Sequence, residues 1–401
     1  MSIIAERIQR IKPSPSGAAR AIIAELREQG REVIDLTIGE PDFPTPAHIR
    51  EAALASAARG ETRYTHVQGT PALRRAVRQQ FIDDFGLDYP EADIIVSTGA
   101  KQVIYNGLAA TVNKGDEVII PAPYWVSYPD MVLLNGGTPV RVAASPESDY
   151  KLTPQALEAA ITPRTKWLLL NSPCNPTGAL YTRAELEGLT EVLLRHPQVW
   201  LMTDDIYAHL NFSGERTVHP LEVAPELKPR SLIVNGVSKA YAMTGWRIGY
   251  GAGPSALIRA MSTLQSQCTS GTSAISQAAA LEALTGPQAC VAEFREVFKA
   301  RRDAAVAGLS QVTGLDVLVP EGAFYVYPSC TGLLGKKTPD GKVIATDADL
   351  TAYFLREAGV ALIDGTAYGV PGTFRVSYAN SLENINQACA NMQAAAAKLL
   401  A

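Results

Sequence analysis

Short apolar runs alternate with helical stretches through the middle of the chain, and this alternation constrains the fold more than any other feature. The runs lie at residues 94–97, 117–122, 166–171, 199–203 and 231–235. Turn residues bound each of them, as is typical of strands that a parallel sheet buries on both faces. Helical patterns, such as residues 101–112, supply the crossovers that parallel strands need. The sequence therefore predicts an α/β fold with a mostly parallel central sheet.

The two ends of the chain have a different pattern. Residues 32–38 look like a strand, and the three prolines of residues 39–46 exclude a helix or a central strand there. Beyond about Pro287 a long helix is expected, then strands at 315–319 and 324–327, a helix at 347–357 and a strand at 373–377. This order predicts a smaller α+β unit beside the sheet.

Composition and charge exclude several classes of protein. Hydrophobic residues make up 47% of the 401 residues, so the chain can bury a large core, and 36 basic against 40 acidic residues leave no basic excess for nucleic acid. No apolar run is long enough to cross a membrane, and the start lacks a signal-peptide pattern, so a cytoplasmic protein is expected. The scattered cysteines and histidines form no metal-binding motif, so no metal is expected.

Polar, aromatic or glycine-rich residues follow the predicted strands. In a parallel sheet the carboxyl ends of the strands share one edge, where ligands bind. The groups that meet there are expected to be Gly99-Ala100-Lys101, Tyr124-Trp125, Asn171 to Gly178, Asp204 to Tyr207 and Ser238-Lys239.

Lys239 lies among small and apolar residues at a strand end. Desolvation there lowers the pKa of an amine, which a Schiff-base lysine requires. Arg247, eight residues later, carries a planar fork that suits a phosphate. A lysine considered alone is usually a solvated surface charge, so the surrounding motif decides between the two interpretations.

Ten segments occur in the order of one enzyme family. They are KPS, GEPDF, YT, GAKQ, PAPYWVSYP, NSPCNPTG, TDDIY, VSKAYAMTGWRIGY, EGAFYVYPS and RVSYA. Together they resemble the fold-type I aminotransferases of class I that depend on pyridoxal 5′-phosphate (PLP), most closely the bacterial branch with aspartate and prephenate aminotransferases. The resemblance spans nearly the whole chain. It implies a three-layer large PLP-binding domain at residues 45–290, a small domain built from residues 1–44 and 291–401, and a homodimer with shared active sites.

The resemblance also implies catalytic roles. Lys239 would bind the cofactor and move the substrate proton. Asp204 would face the pyridine nitrogen; Asp205 is its rival, and the spacing to Tyr207 in the family motif selects Asp204. Tyr207 and Asn175 would hydrogen-bond the 3′-oxygen of the cofactor. Without the motif, Asn175 with the following proline would indicate only a turn.

Cofactor and phosphate contacts follow in the same way. Trp125 would stack on the pyridine ring, although an aromatic residue is more often part of a core. The backbone of Gly99, Ala100 and Lys101 precedes a helix, so its N–H groups can bind an anion, with Ser238 and Arg247 completing that site. Tyr64 would reach the phosphate of the partner subunit; the alternative is a plain surface tyrosine.

Substrate recognition divides into two ends. Arg375 would bind the α-carboxylate, aided by Gly39, Asn175 and the adjoining Trp125, unless it forms only a structural ion pair. The distal carboxylate would meet Ser14, Ser16 and Lys101, because an unpaired buried carboxylate is costly. Residues 17–20 and 37–38 depart from close relatives and border this pocket.

The expected activity is transfer of an amino group between aspartate and 2-oxoglutarate in a ping-pong cycle. Prephenate, aromatic amino acids and kynurenine are alternative substrates. A PLP-dependent lyase of the same fold would use the same lysine, aspartate and arginine. A PLP-sensing transcriptional regulator would need an added basic helix-turn-helix segment, which we do not expect because the family pattern begins within the first fifteen residues.

Overall fold

A seven-stranded sheet forms the centre of the molecule, in a computed structural model that describes residues 3–11, 22–26 and 28–400. Its strands are β2 (Ile94–Ser97), β3 (Glu117–Ala122), β4 (Thr138–Ala143), β5 (Thr165–Asn171), β6 (Trp200–Asp204), β7 (Ser231–Gly236) and β8 (Gly249–Ala252). Their order is β2-β8-β7-β6-β5-β3-β4, and β8 alone runs antiparallel to its neighbours. The predicted mostly parallel sheet is confirmed.

Helices cover both faces of this sheet. They are α1 (Ala47–Ala58), α2 (Pro71–Phe85), α3 (Ala100–Thr111), α4 (Ser127–Leu134), α5 (Pro154–Ala160), α6 (Arg183–Arg195), α7 (Pro220–Val223), α8 (Ser255–Cys268) and α9 (Ala274–Thr285). Successive strand residues point to opposite faces. Ile94 packs in one apolar cluster with α2 and α6, and Ile95 packs in another with α3 and α8. The result is a three-layer α/β arrangement.

Local chemistry sets the ends of α2. The Thr70 hydroxyl accepts a hydrogen bond from the Leu73 amide at 3.3 Å, and Pro71 occupies the first turn. Gly86 ends the helix at φ 69°, a left-handed conformation that glycine adopts without strain.

A second, smaller group of elements is built from both ends of the chain. It contains β1 (Ile34–Asp35), α10 (Ala289–Leu309), β9 (Tyr325–Val326), α11 (Asp347–Tyr353), β10 (Val360–Ala361), β11 (Ile363–Asp364), β12 (Phe374–Ser377) and α12 (Leu382–Ala396). β1 pairs in parallel with β10, and β12 lies between β11 and β9 in an antiparallel sheet. One apolar cluster, with Leu36, Phe298, Phe354 and Met392 among its members, joins these elements.

Three of the strand predictions differ from the structure. Residues 315–319 form no strand: Asp316 makes a single isolated bridge to Ser329, and Val319 is 60% exposed, so it has no neighbour to pair with. The strand expected at 32–38 shrinks to Ile34–Asp35. The sequence predicts no strand at the glycine-rich residues from Gly249, yet they form β8.

The chain passes between the central sheet and the smaller group twice, at residues 42–45 and at α10. These two passages contact each other. Arg301 of α10 donates two hydrogen bonds to the Asp42 carboxylate, at 2.6 and 2.9 Å. The Phe43 ring stacks on Phe294 with centroids 4.3 Å apart. Because residues 42–45 precede the elements of the central sheet and α10 follows them, these contacts fix one passage against the other. None of the described helices is long and apolar enough to cross a bilayer.

Candidate active site

A cavity of about 540 Å³ opens at the carboxyl edge of the central sheet. Residues after β2, β3, β5, β6 and β7 line it, as the parallel arrangement predicts, and residues of β1, β9 and β12 close it from the smaller group. From the predicted site its lining includes Gly39, Ala100, Lys101, Trp125, Asn175, Asp204, Tyr207, Ser238, Lys239, Arg247 and Arg375.

Lys239 follows the end of β7, and its Nζ donates to the Gly39 carbonyl oxygen at 2.6 Å. Desolvation lowers the pKa of this amine to about 8. Arg375 and Arg247 act in the same direction as desolvation, whereas Glu40 and Asp204 oppose it. A neutral amine, which a nucleophile or proton acceptor must be, is therefore accessible near neutral pH.

Asp204 ends β6 and is buried. Its Oδ2 accepts a hydrogen bond from the Tyr128 hydroxyl at 2.6 Å, and its Oδ1 accepts a long one from the Ile206 amide at 3.4 Å. Burial raises the pKa of this carboxyl to about 6, against the lowering effects of the Tyr128 hydrogen bond and Lys239. A carboxylate so desolvated gains from a cationic partner in the cavity.

Asp205 faces away from the cavity. The Thr203 hydroxyl donates to its Oδ2 at 2.7 Å, and His219 Nε2 lies 3.3 Å from the same oxygen. The Leu221 amide donates to His219 Nδ1, and His219 Nε2 lies 3.0 Å from the Thr203 hydroxyl, which itself donates to Asp205. Alternation along β6 thus separates the two carboxylates, and only Asp204 reaches the cavity.

A tight turn before α3 forms one wall of the cavity, with Arg247 opposite. The family resemblance implies that the cofactor phosphate binds here, and for that reason we call Gly99, Ala100, Ser238 and Arg247 the phosphate cup. Gly99 has φ 84°, and a Cβ there would lie 2.3 Å from Arg247 Nη2. A Cβ on Gly249 of β8 would lie 2.0 Å from the Ala100 nitrogen. Only glycine permits these approaches, which bring a helix N-terminus and a guanidinium to one place suited to an anion.

Arg375 of β12 enters the cavity from the smaller group. Its Nη1 donates to Asn175 Oδ1 at 3.0 Å and its Nη2 to the Thr37 carbonyl at 2.6 Å. Its Nε is buried and has no hydrogen-bond partner among the described residues. An unpaired buried donor is costly, and a carboxylate from a ligand would satisfy it.

Lys101 lies at the outer part of the cavity, with its Nζ 4.7 Å from the Trp125 ring centre. Desolvation and the nearby Arg247 lower the pKa of this amine. The lysine therefore has a ring beside it but no carboxylate of the described chain within ion-pair distance, so an anionic ligand can pair with it.

Two predicted residues within the described part of the chain, Tyr64 and Gly99, do not line this cavity. Tyr64 is 96% exposed on a loop between α1 and α2. Ser14 and Ser16 fall outside the described residues, as do the departures at 17–20. Gly99 does not line the cavity surface but caps α3 at its edge. Among residues 3–11, 22–26 and 28–400, no group of His, Cys, Asp and Glu could hold a metal ion.

Three tyrosines of the site have no predicted role from the sequence. Tyr128 binds Asp204; the Tyr325 hydroxyl lies 3.0 Å from that of Tyr207; and the Tyr325 and Tyr368 rings lie 4.4 and 5.3 Å from the Arg375 guanidinium. Tyr128 comes three residues after Trp125 and so belongs to the same motif. That spacing is the one signal that could have revealed it.

The family described as aminotransferase class I and II matches residues 31–392. The chain belongs to this family. The aspartate/prephenate aminotransferase of Cereibacter sphaeroides is 54% identical over 399 residues, covering 100% of each chain. A crystal structure of the Rhizobium meliloti aspartate aminotransferase is 51% identical, with TM-score 0.97 and full coverage of both chains. The Thermus thermophilus aspartate aminotransferase with maleate is 40% identical, with TM-score 0.91 over 98% of this chain and 100% of that one.

Proposed function

We propose that this protein is a PLP-dependent aspartate aminotransferase that passes an amino group from aspartate to 2-oxoglutarate in a ping-pong cycle. One observation carries the proposal: Lys239, Asp204 and Arg375 line a single cavity. The desolvated amine suits proton transfer, and the buried carboxylate suits a cationic ring. The arginine, which has an unpaired donor, suits the carboxylate of a substrate. The family and the names of its relatives support the same activity.

The residues present fit PLP. The phosphate cup would bind the phosphate, Asp204 would face the pyridine nitrogen, and Trp125 would cover the ring. Tyr207 and Asn175, both buried at the cavity, would hydrogen-bond the 3′-oxygen. When bound, PLP supplies a conjugated ring that accepts electrons from the substrate Cα.

The chain's own groups then have defined tasks. Lys239, with its lowered pKa, would take the proton from the substrate Cα and return one at C4′ of the cofactor, and the Gly39 carbonyl would hold its amine in place between these events. Asp204 would keep a proton on the ring nitrogen of a bound cofactor through its negative charge. Arg375 binds the α-carboxylate through the Nε that has no other partner, with Asn175 beside it.

A second carboxylate on the substrate would pair with Lys101, with Ser14 and Ser16 supplying hydroxyl groups. Maleate, present in the Thermus thermophilus structure, is itself a dicarboxylate. Prephenate is the second candidate substrate, because the Cereibacter sphaeroides relative is named for both activities. Prephenate also carries two carboxylates, so one cavity can serve both.

The organisation of the protein follows from the same proposal. We infer a large domain at 45–290 and a small one at 1–44 and 291–401, which the separate apolar clusters support. Tyr64, 96% exposed, would enter the partner subunit's phosphate cup in a homodimer. A cytoplasmic location stays a prediction.

Replacement of the lysine tests the assignment of the reaction. Lys239→Ala should abolish transamination and the absorbance of lysine-bound cofactor, measured on the purified protein with aspartate and 2-oxoglutarate. Cys268→Ala, an exposed site outside the cavity, is the matched control and should retain activity. Full turnover in Lys239→Ala would refute the proposal.

Two further variants test substrate recognition. Arg375→Ala should weaken every amino donor, by roughly a hundredfold for the loss of a charged hydrogen bond. Lys101→Ala should penalise aspartate and prephenate but spare alanine. Steady-state kinetics with alanine and aspartate as amino donors and prephenate as amino acceptor measure both, and equal losses for alanine and aspartate in Lys101→Ala would contradict the distal role of Lys101.

A further inference from the structure

Gln265 of α8 is fully buried, and its amide uses all its hydrogen-bonding positions. Its Oε1 accepts from the Ser97 hydroxyl at 2.5 Å and from Asn106 Nδ2 at 3.0 Å. Its Nε2 donates to the carbonyls of Val67 at 2.8 Å and Val96 at 2.9 Å. These partners fix the orientation of the amide, and any movement of one of them leaves a buried polar group unsatisfied.

One end of this network reaches the phosphate cup. Ser97 is the last residue of β2, and its carbonyl accepts a hydrogen bond from the Gly99 amide at 2.7 Å. Asn106 lies on α3, the helix whose N-terminus forms the cup. Gln265 therefore contacts both the strand that enters the turn and the helix that leaves it.

The other end holds the loop that carries Tyr64, residues 62–70, which we call the Tyr64 loop. Val67, whose carbonyl Gln265 binds, belongs to it. Gln277 of α9, 1% exposed, donates to the Thr65 hydroxyl at 2.9 Å and accepts from the Thr70 amide at 2.8 Å. The Tyr64 side chain thus projects into solvent next to a backbone that is held at Thr65, Val67 and Thr70.

We propose that Gln265 is a positioning residue that links the phosphate cup of its own subunit to the Tyr64 loop that serves the cup of a second copy of this chain. The proposal rests on the proposed function, in which Tyr64 acts on the partner's cofactor. A residue that enters another subunit loses conformational freedom on docking, and a prearranged backbone reduces that cost. One buried amide then sets the geometry of two cofactor sites.

Hybrid dimers can assign the effect to a subunit. One subunit carries Lys239→Ala and so cannot hold lysine-bound cofactor, which leaves a single reporting site in its partner. Gln265→Met is placed either in the reporting subunit or in the silent one, and cofactor release is followed by the loss of absorbance of lysine-bound cofactor. Met261→Leu, buried one turn earlier on α8, is the control for disturbance of the helix.

Gln265→Met should speed release from either position, by about fivefold for each lost hydrogen-bonded contact. Gln277→Met, which touches the Tyr64 loop but not the cup, should act only from the silent subunit. It also keeps the proposal testable if Gln265→Met does not fold. An effect of Gln265→Met confined to the reporting subunit, or no effect of Gln277→Met from the silent one, would overturn the link.

Tyr64→Phe in the silent subunit separates two kinds of failure. If it speeds release while Gln265→Met there does not, the link is wrong and the role of Tyr64 across the interface stands. If Tyr64→Phe has no effect from that position, the proposed role of Tyr64 fails, and the link fails with it.

Discussion

Lys239 holds its amine against a backbone carbonyl rather than a carboxylate, so desolvation is not offset by a close ion pair. We predict that apo-protein captures PLP at a rate that rises with pH and levels off above about 8, where the amine is neutral. An ordinary lysine would give a rate that rises to about pH 10.4. Stopped-flow absorbance between pH 6 and 10 measures this, and a rate that still climbs at pH 10 would contradict it.

Tyr128 lowers the pKa of Asp204 through its hydrogen bond, while burial raises it. Tyr128→Phe should therefore raise that pKa further, so Asp204 takes up a proton at a higher pH. The acid limb of the kcat/KM profile should move to higher pH, and activity at pH 7 should fall roughly tenfold. Tyr124→Phe, a buried neighbour that does not contact Asp204, should leave the limb in place; a shift of equal size there would reject the specific role of Tyr128.

The role of a residue could be predicted from the sequence where a motif fixed its distance from a second residue. The distance to Tyr207 selected Asp204 over Asp205, and strand alternation gives the physical reason. Tyr325 and Tyr368 could not be predicted beside Arg375, because their contacts depend on how β9, β11 and β12 are arranged in space. The free Nε of Arg375 is likewise a property of the folded pocket.

At the scale of elements, the phosphate cup depends on two glycines that let β8 approach the turn before α3. Gly249→Ala would place a Cβ 2.0 Å from the Ala100 nitrogen, so the turn must shift. We expect cofactor affinity to fall about tenfold, which corresponds to a strain within the range of about 1–3 kcal/mol for overpacking. Equilibrium titration with PLP measures the loss.

Gly245→Ala is the matched control for this change, because a Cβ at Gly245 meets nothing within 4 Å. Its affinity should remain near that of the parent protein. Equal losses in the two variants would show that the segment resists any added side chain, and the close approach at Gly249 would not explain the effect.

A strand could be predicted from the sequence where its apolar pattern matched the way in which the strand packs in the fold. β2 and β3 match their predicted bounds because apolar runs there are buried on both faces. Residues 315–319 also include apolar side chains, but they form no strand because no strand lies beside them to pair with. β8 was not predicted because glycines disfavour strands, and their presence is explained by the close approach of α3 and of the β7 backbone.

For the whole molecule, the contact between the two connecting passages is the main structural link. Phe43→Ala removes the ring that stacks on Phe294 and lies beneath Arg301 at 5.1 Å. We expect a loss of about 2 kcal/mol for this partly buried ring, seen as a lower midpoint in thermal unfolding. Val319→Ala, at a position 60% exposed, should leave the midpoint nearly unchanged. An unaltered midpoint in Phe43→Ala would mean that the stacking adds nothing.

The combination of both termini in one group was expected from the family resemblance alone. Composition and periodicity describe neighbours along the chain, and the pairing of β1 with β10 joins residues more than three hundred positions apart. The same limit applies to Tyr64, for which the sequence of one chain gives no contact in the proposed homodimer.

The opposite orientations of Asp204 and Asp205 also restrict how this protein can evolve. Substitutions near His219 alter the surroundings of the β6 face that points away from the cavity. They can therefore accumulate without moving Asp204. An insertion or deletion of one residue within β6 would instead exchange the two carboxylates and turn Asp204 toward His219. We therefore expect lineages of this protein to vary in the side chains behind β6 while they preserve its length.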